Sequence, residues 1–123
     1  MTRWRSTAAS TSDGAVTLLG SGALGTNLRV GMTGPPGGVL LPVGALGLGP
    51  GLTAPGVAGT MLLDPGTVAL LPLQVLGGAA YAALDLPLPN QGSLIGVPVA
   101  FQAVVVDGGV VAFGGNAPVV TLN

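Results

Sequence analysis

The chain contains no cysteine, histidine, lysine or glutamate. Without cysteine, no disulfide and no thiolate metal site can form. Without histidine or lysine, nothing titrates near neutrality to act as base for a nucleophilic hydroxyl. Charge is almost as scarce. Seven residues carry all of it: Arg3, Arg5, Arg29, Asp13, Asp64, Asp85 and Asp107, for a net charge of −1. No basic stripe exists to displace phosphate counterions, so nucleic acid is excluded as a partner. Aromatics number four, Trp4, Tyr81, Phe101 and Phe113. A core built from Val, Leu and Ala must therefore be thin and closely packed.

Long helices are missing too. Residues 30–63 carry no charge, but five prolines and ten glycines interrupt them. No continuous 20-residue spanning helix fits there. A transmembrane barrel needs aromatic girdles and a polar lumen, which four aromatics and seven charges cannot supply. No signal peptide is expected within this chain, because "STAASTSDGA" after Arg3 and Arg5 is no apolar h-region.

What the sequence does have is period-two alternation. Leu28, Val30 and Met32 oppose Asn27, Arg29 and Thr33. Leu84, Leu86 and Leu88 oppose Tyr81, Ala83 and Asp85. Val97, Val99, Phe101, Ala103 and Val105 form one face of a third run. Such runs are strands with one buried face. "GPPGG" (34–38), "DPG" (64–66), "LGG" (76–78), "DGG" (107–109) and "GGNAP" (114–118) separate them. "DGG" is the clearest hairpin, because Asp and Gly tolerate the positive φ of tight turns. Pro42, Pro72, Pro87 and Pro98 fall inside apparent strands and are expected on edges or at bulges. The expected fold is all-β, an antiparallel β-sandwich of about eight or nine short strands over residues 22–123, preceded by an extended segment, 1–21.

"GSGALG" (20–25) matches the G-x-G-x-x-G spacing of a dinucleotide turn. That motif needs a following helix and an acid about 20 residues on. Here the following residues alternate as a strand, and the next acid is Asp64. The stretch reads as a bend. Asp64, Asp85 and Asp107 read chiefly as turn and surface residues. Calcium binding at a turn Asp and a paired-carboxylate site are the alternatives. No catalytic residue, cofactor or metal ligand is assigned, and the chain is expected not to be an enzyme.

From about residue 22 onward the chain resembles a β-sandwich domain found at the C-termini of large exported proteins of planctomycete- and myxobacterium-type bacteria. The resemblance rests on "LGTNLRV" (24–30), "GTMLLDPG" (59–66), "LDLPLPNQGSLIGVPVAFQAVVVD" (84–107) and "GGNAPVVTL" (114–122). Its most specific part is Pro87, Pro89, Asn90, Leu94, Gly96, Phe101, Gln102 and Ala103. The cysteine pair frequent in such domains is missing. The resemblance implies a secreted or cell-surface, non-catalytic module.

Soluble sandwiches guard open strand edges with charge, and typical surfaces are about a quarter to a third charged. At 6% charged residues, this chain is expected to be covered by other copies of itself, as an oligomer or polymer. Candidate contacts are Trp4, flanked by arginines in "RWR", and Val16, Leu18 and Leu19, whose segment could add as a strand to a neighbour. The alternative is a glycan- or cell-wall-binding module using Tyr81 as an exposed aromatic platform.

Overall fold

The structure is a computed structural model that describes residues 15–76, 78 and 80–123. It is an all-β sandwich of two packed sheets. The first sheet has three antiparallel strands in the order β1 (Val16–Leu19), β2 (Asn27–Thr33), β8 (Tyr81–Pro87). The second runs β4 (Leu48–Ala54), β5 (Val57–Leu63), β10 (Val110–Phe113), β9 (Pro98–Asp107), β3 (Val39–Ala45), β6 (Ala69–Leu70). Beside it, β7 (Gln74–Val75) pairs with β3 and β11 (Val119–Thr121) with β9. Among the described residues, all pairings are antiparallel except the two-residue contact of β10 with β5.

The alternation of β2 sets the first sheet. Leu28, Val30 and Met32 point inward and are buried. They meet Leu40, Phe101, Ala103 and Val105 of the second sheet, together with Val16 and Leu76. Each such side chain contributes roughly 1.5–3 kcal/mol on burial. The outer face of β2 carries Arg29, opposite Asp85 of β8.

The boundary expected at residue 21/22 moves. β1 pairs with β2 through Val16↔Met32 and Leu18↔Val30, and Val16 belongs to the core. The sandwich therefore includes Val16. "GSGALG" is a bend packed into the fold, with Gly20, Gly22 and Gly25 all at positive φ. A Cβ on Gly22 would lie 2.7 Å from a Val120 methyl, so only glycine fits that turn. Among the described residues eleven strands are present, several of two or three residues.

A second core lies on the opposite face of β3 and β9. Val43, Ala45, Leu63 and Ala100 form it, with Leu41, Met61 and Val104 packed alongside. It exists because β5 leaves β10 after Ala58 and folds over β9. Gly59 permits the bend at φ +81, where a Cβ would meet the Phe113 carbonyl at 3.0 Å. Ala54-Pro55-Gly56-Val57 joins β4 to β5, with Gly56 at φ +78, as a type II turn requires. At the β9–β10 hairpin, Gly108 (φ +59) and Gly109 (φ +85) make the I′ turn that "DGG" predicts.

The prolines divide. Pro87 ends edge strand β8, Pro98 begins β9, and Pro72 separates β6 from β7. Pro42 lies within the interior strand β3, contrary to expectation. Its carbonyl accepts from the Leu71 N–H at 2.9 Å, so its missing N–H faces the break around Pro72.

Candidate functional site

The candidate site is the side of β1 turned away from β2. The Thr33 N–H donates to the Ala15 carbonyl at 3.0 Å. Antiparallel alternation then turns residues 15, 17 and 19 toward β2 and the backbone groups of Val16 and Leu18 outward. Asn116, which follows β10, meets Val16 there at both points. The Val16 N–H donates to Asn116 Oδ1 at 2.9 Å, and Asn116 Nδ2 donates to the Val16 carbonyl at 2.9 Å. One carboxamide thus takes the place of one residue of an adjoining strand. Among the described residues, no strand pairs with β1 on that side.

Beside this edge the second sheet is wider than the first. Val105 faces the main core, so its cross-strand neighbour Ala112 shares that inner face, as do Asp107 and Val110 one pair further on. These four residues and Pro35 line a cleft of about 270 Å³. Val110 is 62% exposed. The Asp107 side chain makes no ion pair or hydrogen bond among the described residues.

The other edges differ. On β8, the Arg29 Nε donates to Asp85 Oδ1 at 3.0 Å and Nη2 to Oδ2 at 3.3 Å. Asp85 is held below the usual carboxylate range by these hydrogen bonds first and the guanidinium charge second. Arg29 is raised by the same bonds. Edge strand β4 is interrupted by register shifts. The β6–β7 edge carries Leu70 and Val75, 69% and 71% exposed, with no charged residue between Asp64 and Asp85. Near it, Ala45, Leu46, Leu71, Leu86 and Phe101 help line an apolar cleft of about 300 Å³.

The expected contact residues are distributed unevenly. Val16 is buried, Leu18 packs against the core, and Leu19 is exposed. Val16 to Leu19 is thus engaged in its own sheet and does not stand free for donation; what it offers a neighbour is its outer edge. Trp4 lies outside the described residues. Tyr81 is half exposed on the outer face of the first sheet, where its ring covers Gly31; a Cβ there would lie 2.5 Å from the phenol oxygen.

The carboxylates do not converge. Asp64 bonds near Gly47, beyond one end of β3, whereas Asp107 adjoins the pair Val39↔Val106 at the other. At about 3.3 Å per residue the two ends lie roughly 25 Å apart. Asp64 closes its own turn, accepting from the Gly66 N–H at 3.0 Å and the Thr67 hydroxyl at 3.3 Å. Among the described residues, no three His, Cys, Asp or Glu side chains cluster as a metal site. No helix there is long and apolar enough to cross a membrane. The amides of "GSGALG" are engaged: the Leu24 N–H donates to the Asn123 carbonyl and the Gly25 N–H to that of Leu88, both at 2.8 Å.

The sequence reading gave no structural role to two residues. Asn116 sits in a segment that reads as a turn, and its partner is 100 positions away. Gln102 is 1% exposed and bridges three backbone groups: its Oε1 accepts from Leu62 N–H, and its Nε2 donates to the Thr60 and Gly114 carbonyls. A signal for Gln102 was present, since Ala100, Val104 and Val106 make the second face of β9 apolar as well. Comparison of the chain with family models, with curated proteins and with solved structures finds no match.

Proposed function

We propose that the chain is a non-catalytic structural subunit that associates with further copies of itself by strand addition at an open sheet edge. The observation that carries this reading is the outer side of β1, where, among the described residues, no strand pairs and the Asn116 carboxamide meets Val16. Three strands face a wider second sheet, and β10 keeps an apolar inner face exposed next to outward-turned backbone groups. Main-chain hydrogen bonds supply affinity in such augmentation, and pockets for alternate side chains supply specificity. The scarcity of charge supports the same reading, because little on this surface opposes close approach of an identical neighbour. An exported, cell-surface setting follows from the resemblance of residues 22–123 and is part of the proposal.

Sedimentation equilibrium of the full chain across a hundredfold concentration range tests it. The expected result is reversible association. A monomer throughout that range would remove the reading.

The second reading is glycan binding at Tyr81, favoured by a half-exposed ring near the Arg29–Asp85 pair. Retention on cell-wall polysaccharide that disappears in Tyr81→Ala, with no self-association, would select it.

A further inference from the structure

We infer that the cleft between the two sheets, on the side of β8 and β6, binds the aliphatic chain of a small uncharged amphiphile, with Gly44 keeping it open. Strand β8 is the edge of the first sheet opposite β1, so the inference does not rest on the self-association reading.

Gly44 carries the argument. It lies within β3, whose pairing with β9 runs without a shift from Val39↔Val106 to Ala45↔Ala100. No bulge therefore calls for glycine. Its φ lies outside the left-handed region that glycine alone adopts readily. Space does not demand glycine either. A Cβ would make ordinary contact with Phe101, 3.5 Å from Cε1 and 3.6 Å from Cδ1. A Cβ on Gly49, by contrast, would collide with the Leu63 carbonyl oxygen at 2.7 Å. Glycine inside a strand loses conformational entropy on folding and adds no packing. Where neither bulge nor bend explains it, the close approach of a ligand does.

The inner face is correspondingly shallow at this point. Ala69, Gly44 and Phe101 stand in one cross-strand row, whereas the next row carries Leu71, Pro42 and Ala103. Leu86 and Leu88, from the first sheet, form the opposite wall. The cleft between them measures about 300 Å³. Apolar cavities of about 150 Å³ take up one benzene, so this one has room for roughly ten carbons.

The lining selects the chemistry. Among the described residues, no ionised side chain lines the cleft. Its one polar side chain there, Thr67, is engaged on both sides. The hydroxyl accepts from the Leu46 N–H at 2.9 Å and donates to Asp64 Oδ2 at 3.3 Å. A polar group brought into the cleft would give up water without gaining a partner. Phe101 is 3% exposed and turns its ring edge toward Gly44, so it offers no open face for stacking. What fits is a saturated chain whose head group stays in water at the mouth.

Isothermal titration calorimetry of the full chain with 1-pentanol, 1-hexanol, 1-heptanol and 1-octanol tests this. Binding should tighten by about threefold per added methylene, as burial of each one predicts. 2-Phenylethanol, with as many carbons as 1-octanol, should bind at least tenfold more weakly. Gly44→Val should weaken 1-octanol binding tenfold or more while raising the urea midpoint, because its side chain fills the cleft and suits a strand. Ala69→Leu narrows the cleft from β6 and should weaken binding as much, which keeps the test decisive if Gly44→Val does not fold. Val75→Ser, on the other face of the second sheet, should leave binding unchanged.

No heat of binding for any alcohol would overturn the inference, as would affinity independent of chain length or equal affinity for 2-phenylethanol. Affinity unchanged in both Gly44→Val and Ala69→Leu would overturn it too. So would capture by phosphatidylcholine vesicles without uptake of free 1-octanol, which would mark this edge as a membrane contact. Sedimentation equilibrium at the same concentrations reads self-association separately.

Discussion

Gln102 shows how much one side chain can carry in a core this poor in large residues. Its carboxamide orientation is fixed by its partners, since the Leu62 N–H needs an acceptor and two carbonyls need donors. Replacing Gln102 with Leu keeps the volume roughly constant and leaves three backbone groups without partners. Each costs about 1–3 kcal/mol when buried. Gln102→Leu should therefore lower stability by about 3 kcal/mol or more, read from urea denaturation followed by far-UV circular dichroism. Asp85 makes a smaller, pH-dependent contribution. Its folded pKa is depressed below the ordinary 3.8 by Arg29. The stabilisation is therefore present above that value and lost as pH falls through the lower folded value. Both partners are exposed, so the effect is small. Asp85→Asn should narrow the stability difference from the parent chain as pH drops from 5 toward 2, measured as urea midpoints at each pH.

At the scale of elements, β1 is the strand whose role changes most between sequence and structure. Glycines at 20, 22 and 25 give the stretch before β2 the look of a linker, which places β1 outside the domain. Those glycines instead form a bend that packs on β11, a long-range contact that local pattern does not encode. By contrast, β2, β8 and the inner face of β9 were legible from alternation alone, because each has a buried face whose apolar residues recur every second position. The Asn116 cap was illegible, since it is tertiary and depends on a single amide. Its removal tests what the edge of β1 does. Asn116→Ala should cost about 1–2 kcal/mol through two lost hydrogen bonds. If the proposed strand addition at β1 holds, it should also tighten self-association several-fold, because an incoming strand would no longer compete with a carboxamide at Val16. Chemical denaturation and sedimentation equilibrium of the variant check the two halves separately.

For the whole molecule, the all-β character and sandwich architecture follow from composition and period-two pattern. The layering does not. Strand β5 lies over the far face of β3 and β9, so these interior strands bury residues on both sides, and the polar Gln102 becomes a connector between layers. The carboxylates illustrate the same limit. Spacings of 21 and 22 residues suggest one shared end, but the turns between them send Asp64 and Asp107 to opposite ends of β3.

The central position of β9 has a consequence for synthesis. This strand pairs with β3, β10 and β11, and it supplies residues to both cores. It also follows β1 to β8 along the chain, at residues 98–107. A nascent chain therefore lacks its main organising strand until β1 to β8 have been made. Pairings between such distant segments form slowly. Neither core can therefore close until residues 98–107 have been made.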